Sequence, residues 1–222
     1  MTQAIIMLTR HDVTVPDALE VFHELKGTGI TNIGFKDIGL SGEESGRLVS
    51  ALKEQNMHVY FEIVSSDEHG TVQSAKAAAK LGVEYIIGGR YYKAVHHIAA
   101  VHNIAYYPYV GRIVGHPCVL EGSIELITAG ARECELLGVD GLNLLAYRYN
   151  GDTAALLRCM IDAVSIPMII AGGVDSIMRI RSLVRLHISA FTIGTALFEK
   201  SLLPGLSFQE QVRSVLREVD SR

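Results

Sequence analysis

Residues 166–200 read IPMIIAGGVDSIMRIRSLVRLHISAFTIGTALFEK. An apolar run enters Ala171-Gly172-Gly173-Val174. A segment with helical spacing follows, and a second apolar run enters Ile193-Gly194-Thr195-Ala196. This is two β/α units in succession, each strand opening into a glycine turn. Glycine lets the main chain approach a bound group closely. The helix that follows turns unpaired N–H groups and a favourable dipole toward an anion. Gly172, Gly173, Gly194 and Thr195 are therefore the candidate phosphate-binding residues; the same glycines would also serve tight helix–sheet packing.

Upstream, the same alternation recurs. Short apolar or β-branched runs lie at Ala4–Thr9, Thr31–Ile38, His58–Val64, Tyr85–Gly89, Ile104–Val110 and Gly141–Tyr147. With Pro167–Ala171 and Ala190–Gly194 they make eight predicted strands. Predicted helices begin near Pro16, Gly42, Gly70, Lys93, Ser123, Thr153, Ser176 and Leu206, with Pro16 in a first turn and cap oxygens from Asp152-Thr153 and Asp175-Ser176. Eight β/α units without a linker predict an α/β fold, one (β/α)8 TIM barrel spanning residues 1–222. Its phosphate site falls after strands 7 and 8, the usual place in that architecture. An open doubly wound sheet would need a glycine-rich turn after strand 1, where Thr9-Arg10-His11-Asp12 stands instead. The longest loop, Gly111–Gly122, reads as a lid over the site or as a surface excursion.

Composition sets the outer limits. Hydrophobic residues make up 49% of 222, enough for one large core. The net charge of -4 and pI near 6.1, with scattered Lys and Arg, speak against nucleic acid as a partner and against an anionic membrane. No apolar run reaches the ~20 residues of a membrane span. The first residues lack the pattern of a secretory leader. Cys118, Cys134 and Cys159 form no CxxC pair and read as reduced, buried or idle thiols of a cytoplasmic protein. Nothing resembles HExxH, GxSxG or a Walker loop, and the reading calls for no metal and no cofactor.

Active sites of such barrels lie at the carboxyl ends of the strands. Side chains alternate along a strand. With Ile33 and Phe35 facing the helices, Lys36 points inward; with Val59, Phe61 and Ile63 outside, so does Glu62. These two neighbours are expected to meet as a general acid and base, as a lysine of lowered pKa, or as a structural ion pair. His11 and Asp12 after strand 1 and Asp37 after strand 2 are the next candidates, for proton transfer or, in Asp37, for capping. Three strand ends pair Arg with Tyr: Arg90 with Tyr91 and Tyr92, Arg112 with Tyr107 and Tyr109, Arg148 with Tyr147 and Tyr149. Arg90, Arg112, Arg148, Tyr109 and the strand 6 Asn143 are the candidate substrate contacts, Arg for a carboxylate or second phosphate, Tyr for a sugar face or hydroxyl.

AGGV at 171–174 and FTIGTALF at 191–198, in a chain of this length, resemble the ribulose-phosphate-binding barrel superfamily. That resemblance implies a phosphorylated sugar or sugar acid as ligand, its phosphate at Gly172, Gly173, Gly194 and Thr195. The chemistry does not carry over. Pentose-phosphate 3-epimerases carry a metal-binding HxD on strand 2, where this chain has Phe35-Lys36-Asp37. The orotidylate and ketogulonate decarboxylases carry DxKxxD on strand 3, where it has YFEIVSSD. Keto-acid sugar-phosphate aldolases use a strand 6 lysine, absent from LNLLAYRY. The expected function is an isomerase or epimerase that removes a proton next to a carbonyl. The alternatives are aldol or decarboxylation chemistry, including a Lys36 imine, and a non-catalytic sensor similar to glycerol-uptake antiterminators. The final amphipathic segment, Phe208–Val219, suits barrel closure or a homodimer contact equally.

Overall fold

The computed structural model describes residues 2–65, 67–115 and 117–220, so His116 of the long loop lies outside the described residues. Eight parallel strands close into a barrel: β1 (Gln3–Met7), β2 (Asn32–Lys36), β3 (His58–Ile63), β4 (Tyr85–Arg90), β5 (Ala105–Tyr109), β6 (Leu142–Leu144), β7 (Met168–Ile170) and β8 (Ala190–Ile193). They pair in chain order around the barrel, and β1 meets β8 with Gln3 opposite Ala190. Each strand matches one of the eight expected runs, most of them shorter by a few residues, while β1 starts one residue earlier and β4 ends one residue later than expected.

Alternation divides the apolar residues into two layers. Ile33, Phe35, Val59, Phe61 and Ile63 face outward into the large layer between strands and helices. There Phe35 and Phe61 meet edge to face at 5.2 Å, and each such ring or branched chain taken from water contributes ~1.5–3 kcal/mol. Ile5, Met7, Tyr60, Ile87, Ile169 and Ala190 fill the barrel interior. Tyr60 stacks on Tyr85 at 4.1 Å and Tyr85 leans on Tyr107 at 6.3 Å, an aromatic layer inside the barrel. Tyr107 is thereby part of that interior layer, not a partner of Arg112 at the rim.

The helices that cover the barrel are α1 (Ala18–Glu24), α2 (Gly42–Glu54), α3 (Glu68–Leu81), α4 (Lys93–Val101), α5 (Ile124–Leu136), α6 (Thr153–Ala163), α7 (Ile177–Arg185), the single turn α8 (Thr195–Phe198) and α9 (Phe208–Asp220). Asp152 and Ser176 cap α6 and α7 as expected, accepting from the N–H groups of Ala155 and Arg179. Pro16 does not enter a helix: Asp17 occupies the cap position and α1 begins at Ala18. Strand 8 is followed at once by α8, a turn too short for sequence periodicity to register. α9 packs against α7, α8 and β1, so the last amphipathic segment closes the barrel. The buried Gln211 ties it down, its side-chain N–H groups reaching the carbonyls of Leu197 and Leu206 (3.4 and 3.5 Å) while its Oε1 accepts from Leu203 N–H (3.3 Å).

Two small hairpins stand on the carboxyl rim. Thr9–Arg10 pairs with Val13–Thr14, and Arg112–Val114 with Val119–Glu121, the second inside the long loop. No helix among the described residues is long and apolar enough to cross a membrane.

Candidate active site

The first hairpin turns through two residues in the left-handed region, His11 (φ 50°) and Asp12 (φ 64°). That is the backbone a two-residue loop needs to follow the strand twist, and Asp is among the few non-glycine residues that accept it readily. The tight turn swings the Asp12 carboxylate over the barrel mouth. Thr14, two residues on, clamps the peptide of Lys36 from both sides: its Oγ1 accepts from Lys36 N–H (2.8 Å) and donates to Lys36 C=O (3.0 Å). Lys36 is thus held at the end of β2 with its side chain turned in. Register places Glu62 of β3 directly beside it.

Four charged groups meet there. Lys36 Nζ lies 3.3 Å from Asp12 Oδ1 and 3.4 Å from Glu62 Oε2. Arg148, from the 3-10 turn after β6, grips Asp12 with both terminal nitrogens, Nη1 to Oδ2 at 2.6 Å and Nη2 to Oδ1 at 2.9 Å. Glu62 Oε1 accepts from the Tyr109 hydroxyl at 2.5 Å. Lys36, Asp12 and Glu62 are nearly inaccessible to solvent, and in such surroundings charges persist only when paired. Two cations and two carboxylates balance.

The pairing sets the protonation states. Burial favours a neutral Asp12, yet Arg148 and Lys36 together outweigh it and hold its carboxyl down at about 2. For Lys36, burial opposes the charge, but Glu62 and Asp12 prevail and its pKa is raised. The expected alternative of a lysine with lowered pKa is therefore corrected: two carboxylates, not one, face this ammonium. Tyr109 is raised well above its usual range by burial and by the adjacent Glu62, so it remains a hydrogen-bond donor.

The glycine turns form the opposite wall. Gly172 (φ 68°) and Gly173 (φ 73°) are both left-handed. A Cβ on Gly172 would lie 2.7 Å from Arg148 Nε, so the guanidinium group lies across this turn as well as on Asp12. Gly173 C=O accepts from Arg179 (2.5 Å), whose charge pairs with Asp175 (2.7 Å) and rests over the Tyr147 ring at 4.6 Å. At the β8 turn a Cβ on Gly194 would lie 2.7 Å from Thr9 Oγ1 and 2.8 Å from Thr9 O; here the need is closeness to the first hairpin. Thr195 Oγ1 accepts from His11 N–H (3.1 Å). One cavity of about 320 Å³ joins the two walls, lined by Lys36, Glu62, Asp12, Tyr109 and Arg148 on one side and by Gly172, Gly173, Gly194 and Thr195 on the other.

Several expected residues lie elsewhere. His11 lines the cavity only at its rim, 71% exposed, with Nε2 3.3 Å from Glu199. Asp37 is turned away from the cavity. It accepts from Val64 N–H (3.0 Å) and Ser74 Oγ (2.5 Å), fastening β3 to α3, and burial raises its pKa. Arg112 is spent on Glu121 across its own hairpin (3.7 Å) and is 75% exposed. Asn143 faces inward but is wholly buried beneath the cavity, with neither amide atom hydrogen-bonded. Arg90 opens into a neighbouring cavity. The thiols differ in burial. Cys134 is buried and Cys159 exposed, while Cys118, on the long loop beside Pro117, lines the site with its pKa raised by burial. Only the position of that loop over the mouth could have pointed to Cys118.

No curated protein matches this chain. A family model for histidine biosynthesis proteins matches residues 148–203. Among solved structures, a native KDPGal structure aligns with a TM-score of 0.71 at 12% identity, covering 98% of this chain and 94% of its own. The phosphoribosylanthranilate isomerase of Thermotoga maritima, in a monomeric form, aligns over the whole of both chains at 13% identity and a TM-score of 0.67. The (S)-3-O-geranylgeranylglyceryl phosphate synthase of Thermoplasma acidophilum, bound to sn-glycerol-1-phosphate, aligns over 100% of this chain and 94% of its own at 12% identity and a TM-score of 0.67. The chain thus shares the closed barrel of these structures along its full length, and the stretch that matches the histidine biosynthesis family, residues 148–203, carries Arg148 and both glycine turns.

Proposed function

We propose that the protein is an enzyme that isomerises or epimerises a phosphorylated sugar or sugar acid by removing a proton next to a carbonyl. The observation that carries this reading is the shared cavity, with the glycine turns on one wall and the Lys36–Glu62 pair on the other. The phosphate would rest on the N–H groups of the Gly172-Gly173 and Gly194-Thr195 turns and hold the reacting carbon in place. Glu62 is the base. Asp12 is unsuited to that task, because a carboxyl held at about 2 gives up its ion pairs before it takes a proton. Lys36, kept protonated, faces the carbonyl oxygen and stabilises the negative charge that grows on it. The Tyr109 hydroxyl holds Oε1 of Glu62, which leaves Oε2, beside the Lys36 ammonium, as the oxygen to take the proton.

The raised pKa of Lys36 runs against an imine mechanism, which needs a neutral amine. A thermal-shift screen of sugar phosphates, each beside its unphosphorylated sugar, nominates compounds. Proton NMR of those compounds in heavy water then follows exchange of the hydrogen next to the carbonyl. Glu62→Gln is expected to slow exchange about a hundredfold or more while the phosphate esters still stabilise the protein. Exchange at the wild-type rate in this variant would remove Glu62 from the mechanism, and borohydride trapping of an adduct on Lys36 would replace it with the imine.

A further inference from the structure

We infer that the substrate carries a carboxylate at the end opposite its phosphate, and that Arg90 binds it. This deepens the phosphosugar reading and rests on it. A second cavity of about 460 Å³ lies on the β2–β4 side of the barrel mouth, and it shares Tyr109 and Cys118 with the first as a common wall. A ligand anchored at the β7 and β8 turns that passes Glu62 and Tyr109 would run into it.

Arg90 lines this second cavity. The other arginines set around the mouth are committed: Arg10 to Glu199, Arg112 to Glu121, Arg148 to Asp12 and Arg179 to Asp175. Among the described residues the Arg90 side chain has no hydrogen bond or ion pair, although its backbone carbonyl accepts from Tyr106. Its direction comes from a built irregularity. The β4–β5 register shifts between Ile87 and Arg90, where Gly88 (φ 77°) and Gly89 (φ 65°) bend the strand end. A bulge of this kind re-aims the side chain that follows it.

The chemistry of the anion follows from the neighbours. Asp37 and Asp67 line the same cavity, and two acidic side chains penalise a dianion more than a monoanion. The planar guanidinium fork matches a carboxylate with two parallel hydrogen bonds. A phosphorylated sugar acid fits both ends; a sugar bearing two phosphates fits less well.

The test compares matched pairs phosphorylated at the terminal carbon, by thermal shift titrated to dissociation constants: phosphoglycerate against glycerol phosphate, phosphoribonate against ribose phosphate, and phosphogluconate against glucose phosphate. Inorganic phosphate and fructose bisphosphate complete the set, with wild type beside Arg90→Ala. At least one acid is expected to bind about tenfold tighter than its neutral partner. Arg90→Ala should abolish that preference and keep the response to inorganic phosphate. Acids that bind no better than their partners, or a preference that survives in Arg90→Ala, would overturn the inference and leave the phosphate site standing. Tighter binding of the bisphosphate than of any acid would overturn the carboxylate assignment. No response to any phosphate, inorganic or ester, would overturn the phosphate reading and this inference with it.

Discussion

Asp12 sits between Lys36 and Arg148 and accepts from both. Its carboxyl is lowered to about 2 from an ordinary value near 3.8. A lowered carboxylate stabilises the fold above its unfolded pKa, and that contribution fades as pH falls from about 4 through about 2. Arg148→Met leaves Lys36 as the single cation at Asp12. Stability near neutral pH is expected to fall by about 2 kcal/mol, seen as a drop of roughly 4–8 °C in Tm, and acid unfolding should begin at a higher pH. Thermal melts from pH 7 down to pH 3 check this; an acid limb that coincides with wild type would mean the pair contributes nothing. This cluster was half legible. The inward Lys36 and Glu62 follow from strand alternation alone. Asp12 follows from a hairpin that periodicity does not reveal, and its partner Arg148 lies 136 positions away in the chain. Asp37 shows the opposite limit. One position past Lys36, it turns to Val64 and Ser74, and no local rule distinguishes a buried fastener from a catalytic carboxylate.

The turns are the elements on which the site depends. Gly172 is left-handed and faces Arg148 Nε, so a methyl group there meets both a backbone penalty and a guanidinium. Gly172→Ala is expected to lower stability by about 1–2 kcal/mol and to weaken the protein's response to inorganic phosphate, while Gly46→Ala, in α2 with open space around it, should hold or gain stability. Paired melts with and without phosphate decide it; a full phosphate response in Gly172→Ala would argue against an anion at this turn. Both glycine turns were legible as turns, because glycine at the end of an apolar run is a local signal that needs no distant partner. The caps at Asp152 and Ser176 were legible for the same local reason. Arg112 and Tyr107 departed from the Arg/Tyr pattern, because a hairpin inside the long loop consumes Arg112 and the interior aromatic layer takes Tyr107, whereas Arg148 and Tyr109 line the cavity.

At the scale of the whole molecule, α9 makes the barrel a closed unit and holds α8, whose first turn carries Thr195. Gln211→Ala would strand the carbonyls of Leu197 and Leu206 and the N–H of Leu203 in a buried seam. It is expected to cost about 2 kcal/mol, to lower Tm by roughly 4–8 °C, and to raise amide hydrogen exchange in α8 and α9 ahead of β2 and β3. Uniform exchange across the barrel would show that α9 does not act as a separate clasp. The eightfold alternation, the single barrel, the turns after β7 and β8 and the inward Lys36 and Glu62 were determined by the sequence itself, because periods of two and 3.6 and the special conformations of glycine are local properties. The joining of Asp12 to Arg148, the raised pKa of Lys36, the diversion of Asp37 and Arg112, and the second cavity at Arg90 were decided only by the tertiary structure. Each depends on which distant side chain reaches a given point in space and on how much water is excluded there, and neither quantity is written in any short stretch of chain.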